Sequence, residues 1–309
     1  VKNVSDLGDL EAKLNAFGWR VERCDGNDVN AFSATLRSME GDNRPKVIIA
    51  DTVKGKGVSF MEHTSLDSDV AMYRFHSGAP ESAMYRAAAQ ELMDRLRSEL
   101  IAMGLRELEF ETIERSASPA PSATAQRLIP AYSKALLQQA EKNPNIVALD
   151  ADLILDTGLI PFRDQFPDRL IECGIAEQDM VSMAGGMALN GLLPIVHSFA
   201  CFLSTRPNEQ IYNNATEHTK VIYVGSLSGV VPGGPGHSHQ SVRDISALGA
   251  MPGMALVEPS CDAEVGPLLD WCVNEAPASS YIRLISVPWD VSYTLPIDYR
   301  PARGKGVTL

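Results

Sequence analysis

Ile171-Glu172-Cys173-Gly174-Ile175-Ala176-Glu177-Gln178-Asp179-Met180-Val181 is the stretch on which the fold turns. Leu170, Ile171 and Glu172 read as a short strand, Gly174 permits the turn, and a helix runs from Ala176 to about Leu189. In parallel α/β sheets, ligands bind beyond the carboxyl ends of the strands. Glu177 therefore falls in a first helical turn facing such a crevice. The plainer explanation of a carboxylate there is that it complements the helix dipole. Gly185 and Gly186 lie inside the same helix. Each costs about 1 kcal/mol against Ala, so the pattern predicts close packing of the backbone against a neighbour.

Outward from this stretch the pattern stays α/β. A helix is expected over roughly 129–142, with strands at Ile146–Leu149, near Pro194–His197, at Val221–Gly225, at Ala255–Val257 and at Tyr281–Leu284. That is about six strands, enough for one complete α/β domain over 126–290. Earlier in the chain, Leu7, Leu10, Leu14 and Phe17 recur at helical spacing, with Ser5 and Asp6 as caps. Trp19–Arg23 alternates like a strand, Val29, Phe32, Leu36 and Met39 form a second helical stripe, and Val47–Ala50 reads as a buried strand. This α-β-α-β run is too short for a complete doubly wound domain, so 1–85 is expected to be part of one. Residues 86–125 read as helix followed by the Ser/Pro/Ala linker Ser116–Ala123, and 291–309 as the start of a further linker.

Composition excludes several classes. The 309 residues carry 27 Lys and Arg against 39 Asp and Glu, a formal charge of −12. With no basic block, nucleic acid and anionic membrane are poor partners. No run of about 18 apolar residues exists, and the first residues lack a charged-then-apolar pattern, so neither a membrane-spanning helix nor a signal peptide is expected. Five scattered cysteines, Cys24, Cys173, Cys201, Cys261 and Cys272, form no disulfide framework. Reduced thiols and a cytoplasmic location are expected.

Four segments are placed where chemistry could occur. Asp51-Thr52-Val53-Lys54-Gly55-Lys56-Gly57-Val58 follows a strand and offers glycine amides and two lysines to an anion, or else forms a tight turn with solvated lysines. It lacks the Walker spacing. The second segment is the Glu177 stretch. His197-Ser198-Phe199-Ala200-Cys201-Phe202 offers two aromatic rings, either as core or as a stacking surface for a flat ring. Gly233-Gly234-Pro235-Gly236-His237-Ser238-His239-Gln240 holds two histidines in a loop. No third ligand lies at zinc spacing, so a catalytic or substrate-contacting histidine is the better reading. A Cys–His nucleophile is disfavoured, because neither Cys173 nor Cys201 has an electropositive setting.

In this order the segments resemble the thiamine-diphosphate-dependent transketolase family. The Ile171–Val181 stretch resembles the family's pyrimidine-domain signature, and Phe199-Ala200-Cys201-Phe202 follows at the family's distance. Thr52–Gly57, then Met61-Glu62 and Phe75-His76-Ser77-Gly78, resemble the end of its diphosphate-binding domain. The resemblance implies that Glu177 hydrogen-bonds N1′ of the aminopyrimidine and promotes loss of the thiazolium C2 proton. It also implies that Phe202 stacks on the pyrimidine, with Ile175, Gln178 and Phe199 around it. Lys54 and Asp152 then touch the cofactor, and His76 and His239 act on cofactor or substrate. The activity implied is transfer of a two-carbon ketol unit from a ketose to an aldose. Relatives with the same glutamate, such as deoxyxylulose-phosphate synthase or a 2-oxo-acid dehydrogenase β-type subunit, are alternatives, as is a non-catalytic scaffold.

Two departures matter. The family's Gly-Asp-Gly…Asn motif, which holds Mg2+ or Ca2+ on the diphosphate, is absent from this sequence. The resemblance therefore implies either a fragment or a subunit, in a homodimer or in a heteromer with a chain carrying the diphosphate half. The family's sugar-phosphate contacts fall at Asp156 and Ser286, and two further donor contacts at Leu227 and Pro235. An acid repels phosphate, so the expected small-molecule substrate is not an ordinary pentose or hexose phosphate. Arg127 is the remaining candidate for a phosphate contact.

Overall fold

The computed structural model describes residues 6–62, 73, 75–76, 80–106, 108 and 122–308. Most of the Ser116–Ala123 linker, together with Ser77 and Gly78, lies outside the described residues. The chain divides into two compact units, Val1–Ala117 and Ser118–Leu309.

The first unit runs α1 (Leu10–Ala16), β1 (Arg20–Asp25), α2 (Val29–Ser38), β2 (Lys46–Asp51) and α3 (Ser82–Ala102). The cap of α1 is Asp9, whose carboxylate accepts from the Ala12 amide. Asp6 instead accepts from Gly8. β1 and β2 pair in parallel, Arg20 opposite Lys46 through Asp25 opposite Asp51. A two-stranded sheet cannot cover the apolar stripes of its helices: Phe17 and Val29 are 79% and 82% exposed. Helix α3 hydrogen-bonds to the loop after β2, through Glu91 to Ser59 and Arg95 to the Gly57 carbonyl. The first unit thus extends well past residue 85.

The second unit begins with α4 (Leu128–Lys142), β3 (Ile146–Asp150), α5 (Ile154–Thr157), α6 (Ile160–Gln165), β4 (Leu170–Glu172) and α7 (Glu177–Leu189). It continues with β5 (Leu193–Phe199), α8 (Ala200–Leu203), α9 (Asn208–Thr216) and β6 (Ile222–Ser226). It ends with α10 (Asp244–Gly249), β7 (Ala255–Val257), α11 (Asp262–Asn274) and β8 (Ser280–Arg283). The strands form one parallel sheet in the order β4-β3-β5-β6-β8-β7. From β3 the chain first moves to one side, to β4, and then to the other, to β5. That reversal opens a crevice at the carboxyl ends of β3 and β5.

Alternation along each strand builds two cores. Ile146 and Ala148 of β3 join Leu128, Tyr132, Leu136, Phe162 and Leu269 on one face. Val147 and Leu149 join Met180, Val181, Ile211 and Leu248 on the other. Successive side chains of a strand point to opposite faces, so one sheet carries a helical layer on each side. Each fully buried Leu, Ile or Phe contributes about 1.5–3 kcal/mol. Beyond β8 there is no further helix or strand among the described residues, yet this segment is held against the domain. Trp289 exchanges backbone hydrogen bonds with Gln126, Tyr293 donates to Ser260, and Tyr299 donates to Glu264.

The two glycines of α7 separate cleanly. A methyl group on Gly185 would lie 2.1 Å from Oδ1 of Asn214, whose amide donates to the Val181 carbonyl and to Tyr223. A methyl group on Gly186 meets nothing within 4 Å. Gly185→Ala is therefore expected to destabilise by about 1–3 kcal/mol through overpacking. Gly186→Ala is expected to stabilise by about 0.5–1 kcal/mol through helix propensity. Thermal melts of the two variants should move in opposite directions; a shift of the same sign in both contradicts the packing explanation.

Candidate active site

The helix α7 starts at Glu177 because Gly174, at φ +68°, reverses the chain just after β4. Glu172 fastens this corner: its Oε1 accepts from the amides of both Asp152 and Gly174. Asp152 itself sits at φ +60° at the carboxyl end of β3 and is exposed. The loops after β3 and β4 are thereby tied at one end of the sheet, and Glu177 is delivered there 4% exposed. Ile175 beside it is exposed.

The third loop, at the end of β5, brings the rings. Phe199 and Phe202 lie with centroids 5.8 Å apart, and His239 meets Phe202 edge-on at 5.1 Å and Phe199 at 6.0 Å. His239 belongs to the 3-10 turn His237–His239, and its Nδ1 lies 2.9 Å from Ser238 Oγ. One residue missed by sequence reading joins these parts. Arg206 donates to Glu177 and stacks its guanidinium 3.8 Å from the Phe202 centroid. Its carbonyl accepts from Gln178 Nε2. Arg206 lies four residues after Phe202, one turn on, so the spacing alone could have suggested their contact. Its approach to Glu177, 29 residues earlier, has no local signal.

Six sequence-predicted residues, Glu177, Gln178, Phe199, Phe202, His239 and Asp152, thus gather at the carboxyl end of one sheet, and Ile175 borders them. Beside Phe202 and Arg206 opens a cleft of about 350 Å³, lined also by Ser204, Thr205, His237, Ser241 and Arg243. A buried carboxylate beside an aromatic face suits a flat ring with a hydrogen-bonding edge, so this chain's residues fit the aminopyrimidine end of thiamine diphosphate. Among the described residues, no group of three or more His, Cys, Asp or Glu is placed to hold a metal ion.

The remaining predicted residues behave differently. Lys54 donates to His76 Nδ1 at 2.5 Å and lies 4.6 Å from the Tyr73 ring centroid, all within the first unit. The glycine loop around Lys54 closes on itself. The Gly57 amide donates to Glu62, Lys56 pairs with the same carboxylate, and the Lys56 and Val58 amides donate to Val53 and Gly55 carbonyls. The amides of Lys56, Gly57 and Val58 are thus taken within the loop, so this part of it reads as a tight turn rather than an anion cradle. Leu227 and Ser286, two of the changed sugar-phosphate positions, are brought together: the Leu227 amide donates to Ser286 Oγ at 2.9 Å. Pro235 is exposed in its loop. Arg127 lines a separate groove with Lys134 between α4 and α11, and this groove shares no residue with the Phe202 cleft. All five cysteines are free, and burial pushes the Cys173 thiol up to about 12 and raises that of Cys201. Neither is a ready thiolate.

Beneath the site, two titrating groups oppose each other. Burial, together with the negative charges of Glu172 and Asp152, pushes the fully buried Asp150 carboxyl up to about 7, although its bonds from Leu153 and Thr157 act against this. Burial pushes His197 down to about 4; its ring lies between the Tyr132 hydroxyl and the Leu149 carbonyl. A raised carboxyl contributes stability below its unfolded pKa and loses it as pH rises through about 7. A depressed histidine contributes fully above its unfolded pKa and loses it as pH falls from about 6.5 toward 4. Between pH 4 and 7 the two slopes cancel in part. Asp150→Asn should leave stability rising with pH over this window, and His197→Gln should leave it falling. Urea unfolding at pH 4, 5.5 and 7 checks this, and parallel curves for the two variants would sink it.

A doubly wound parallel sheet with a buried carboxylate and aromatic rings at its switch point defines a ligand-binding α/β domain. The model of the family described as "Transketolase, pyrimidine binding domain" matches residues 126–285, so the chain belongs to the thiamine-diphosphate-dependent transketolase family. A 1-deoxy-D-xylulose-5-phosphate synthase of Clostridium acetobutylicum is 27% identical over 251 residues, 81% of this chain and 34% of that protein. One from Mycobacterium sp. (strain JLS) is 32% identical over 259 residues, 82% of this chain and again 34% of the protein. The chain therefore spans about a third of the length of these curated relatives. Among solved structures, one titled "Split gene transketolase, inactive beta4 tetramer" superposes with a TM-score of 0.51 at 29% identity, covering 58% of this chain and 57% of that one. Among the described residues, no helix is long and apolar enough to cross a membrane.

Proposed function

We propose that this chain supplies the aminopyrimidine half of a thiamine-diphosphate site that transfers a two-carbon ketol unit from a ketose donor to an aldose acceptor. The observation that carries the reading is Glu177, buried on the first turn of α7 beside the Phe202 ring. When bound, thiamine diphosphate supplies a carbon nucleophile and an electron sink for bonds next to a carbonyl. Glu177 would hold the proton at pyrimidine N1′, and Phe199 and Phe202 would pack the ring while excluding water. Gln178 and Ile175 border that seat, and Asp152 lies at the neighbouring strand end. His239, edge-on to Phe202, is placed to move a proton or hold a substrate hydroxyl. Lys54 and His76 of the first unit, already paired with each other, are proposed to contact cofactor and substrate.

The diphosphate and its Mg2+ or Ca2+ need oxygen ligands from another segment or subunit, in a homodimer or a heteromer. A second reading, a deoxyxylulose-phosphate-synthase-like reaction, is favoured by the names of the curated relatives. Asp156, an acid where the family contacts a sugar phosphate, supports a substrate other than an ordinary pentose or hexose phosphate. The test is the assembled enzyme, with the diphosphate half present, assayed in parallel. Ketol transfer from a range of ketoses supports the first reading, and formation of 1-deoxyxylulose 5-phosphate supports the second. Normal turnover of xylulose 5-phosphate with ribose 5-phosphate contradicts the substrate proposal.

A further inference from the structure

Arg206 makes, in this chain, both contacts that the proposed reading gives to the pyrimidine ring. Its guanidinium is flat, it stacks 3.8 Å from the Phe202 centroid, and it donates to the Glu177 carboxylate. A stacked planar cation on an aromatic face is favourable, and so is a donor to a buried carboxylate. A ring stacking on that face and bonding that oxygen cannot be accommodated while the guanidinium is there.

The structure also offers a place for the displaced group. The Arg206 side chain is 40% exposed, while its backbone is fixed by bonds to Phe202 and Gln178. It already borders the cleft of about 350 Å³. Two residues lining that cleft, Ser204 and Ser241, are 1% and 3% exposed, and their hydroxyls have no hydrogen-bond partner. A buried hydroxyl left without a partner is costly, and guanidinium N–H groups turned toward the cleft would supply donors.

We propose that Arg206 is a built-in occupant of the ring seat, and therefore the residue that sets how tightly and how selectively the seat takes a ring. With Glu177 and Phe202 free, the seat is competent; with Arg206 in place, it is closed. The proposal rests on the reading of Glu177 and Phe202 as that seat. Apparent affinity falls by the fraction of time the seat is free, so a seat open about a tenth of the time binds about tenfold more weakly than an open one.

The experiment is calorimetric titration of this chain with 4-amino-5-hydroxymethyl-2-methylpyrimidine, the free ring, so that no diphosphate site is needed. Arg206→Met should bind the ring about tenfold more tightly than the unaltered chain, and Arg206→Lys by an intermediate factor. Methylguanidinium should bind to Arg206→Met, compete there with the ring, and leave the unaltered chain untouched. In 15N-arginine-labelled protein, the Arg206 Nε–H resonance should shift as the ring saturates. Equal or weaker ring binding by Arg206→Met overturns the proposal and makes Arg206 a support for Glu177 instead. If Glu177→Ala and Phe202→Ala still abolish binding in that case, the seat itself stands. Ring binding that is unchanged by Glu177→Ala and Phe202→Ala, or no ring binding to any variant, overturns both readings.

Discussion

Glu177→Gln is expected to lower thiamine-diphosphate-dependent turnover of the assembled enzyme by at least about a hundredfold, or about 2.7 kcal/mol in barrier. Glutamine keeps the volume and a hydrogen-bonding oxygen, so the buried seat on α7 stays filled. What it removes is the carboxylate, the group that can hold a proton at N1′ and release it again. The effect should appear in kcat rather than in cofactor affinity, since the ring still finds a polar partner and the Phe202 face. Retention of more than about a tenth of the activity, a change near 1.4 kcal/mol, refutes the role given to Glu177. A stopped reaction accompanied by lost cofactor binding would point instead to a collapsed seat, and circular dichroism with a cofactor titration separates the two.

The largest stability effect is expected at the other end of the strand order. Asp244, 1% exposed, is held by Arg283 Nε at 2.6 Å and by the Tyr281 hydroxyl at 2.9 Å. Arg283 also reaches Glu258, whose side chain is 41% exposed. Arg283→Met removes both partnerships, but only Asp244 is then left charged with no route to water. Breaking one side of a buried pair costs about 3–5 kcal/mol. For a unit of this size that corresponds to roughly 10 °C in melting temperature. The double variant Arg283→Met with Asp244→Asn should recover part of the loss, because the stranded charge is gone. No difference between single and double variants would show that Arg283 acts by packing alone.

The substrate question turns on residues that a sequence reader sees as mismatches. Leu227 and Ser286 are 59 positions apart, and the amide-to-hydroxyl bond between them turns two apparent losses into one local fastening. Likewise the glycines near Lys54 suggested an anion cradle, but Glu62 claims the Gly57 amide and the Lys56 side chain. In both cases the sequence offered donors and acceptors, and the fold decided which were already taken.

Much of the second unit was legible without coordinates. Short continuous apolar runs marked its strands to within a residue or two, because a strand buried on both faces is apolar along most of its length, as in Ile146–Leu149 of β3. Turn glycines marked the corners, Gly174 among them, since few other residues adopt its positive φ. The Glu177, Phe202 and His239 loops were also predictable as neighbours, because in a doubly wound sheet strand ends converge on one edge. Helix α3 was placed in a connecting segment, since helical periodicity says nothing about which surface a helix meets; Glu91 and Arg95 settle it. By itself, then, the sequence determined the parallel α/β plan and which loops meet at one end of the sheet. Tertiary structure alone decided that Arg206 fills the space between Glu177 and Phe202, that Asp150 and His197 are buried with opposed titrations, and that Asp244 depends on Arg283. Local periodicity encodes which way a side chain points, whereas an ion pair across 29 or 39 residues exists only once the chain has closed.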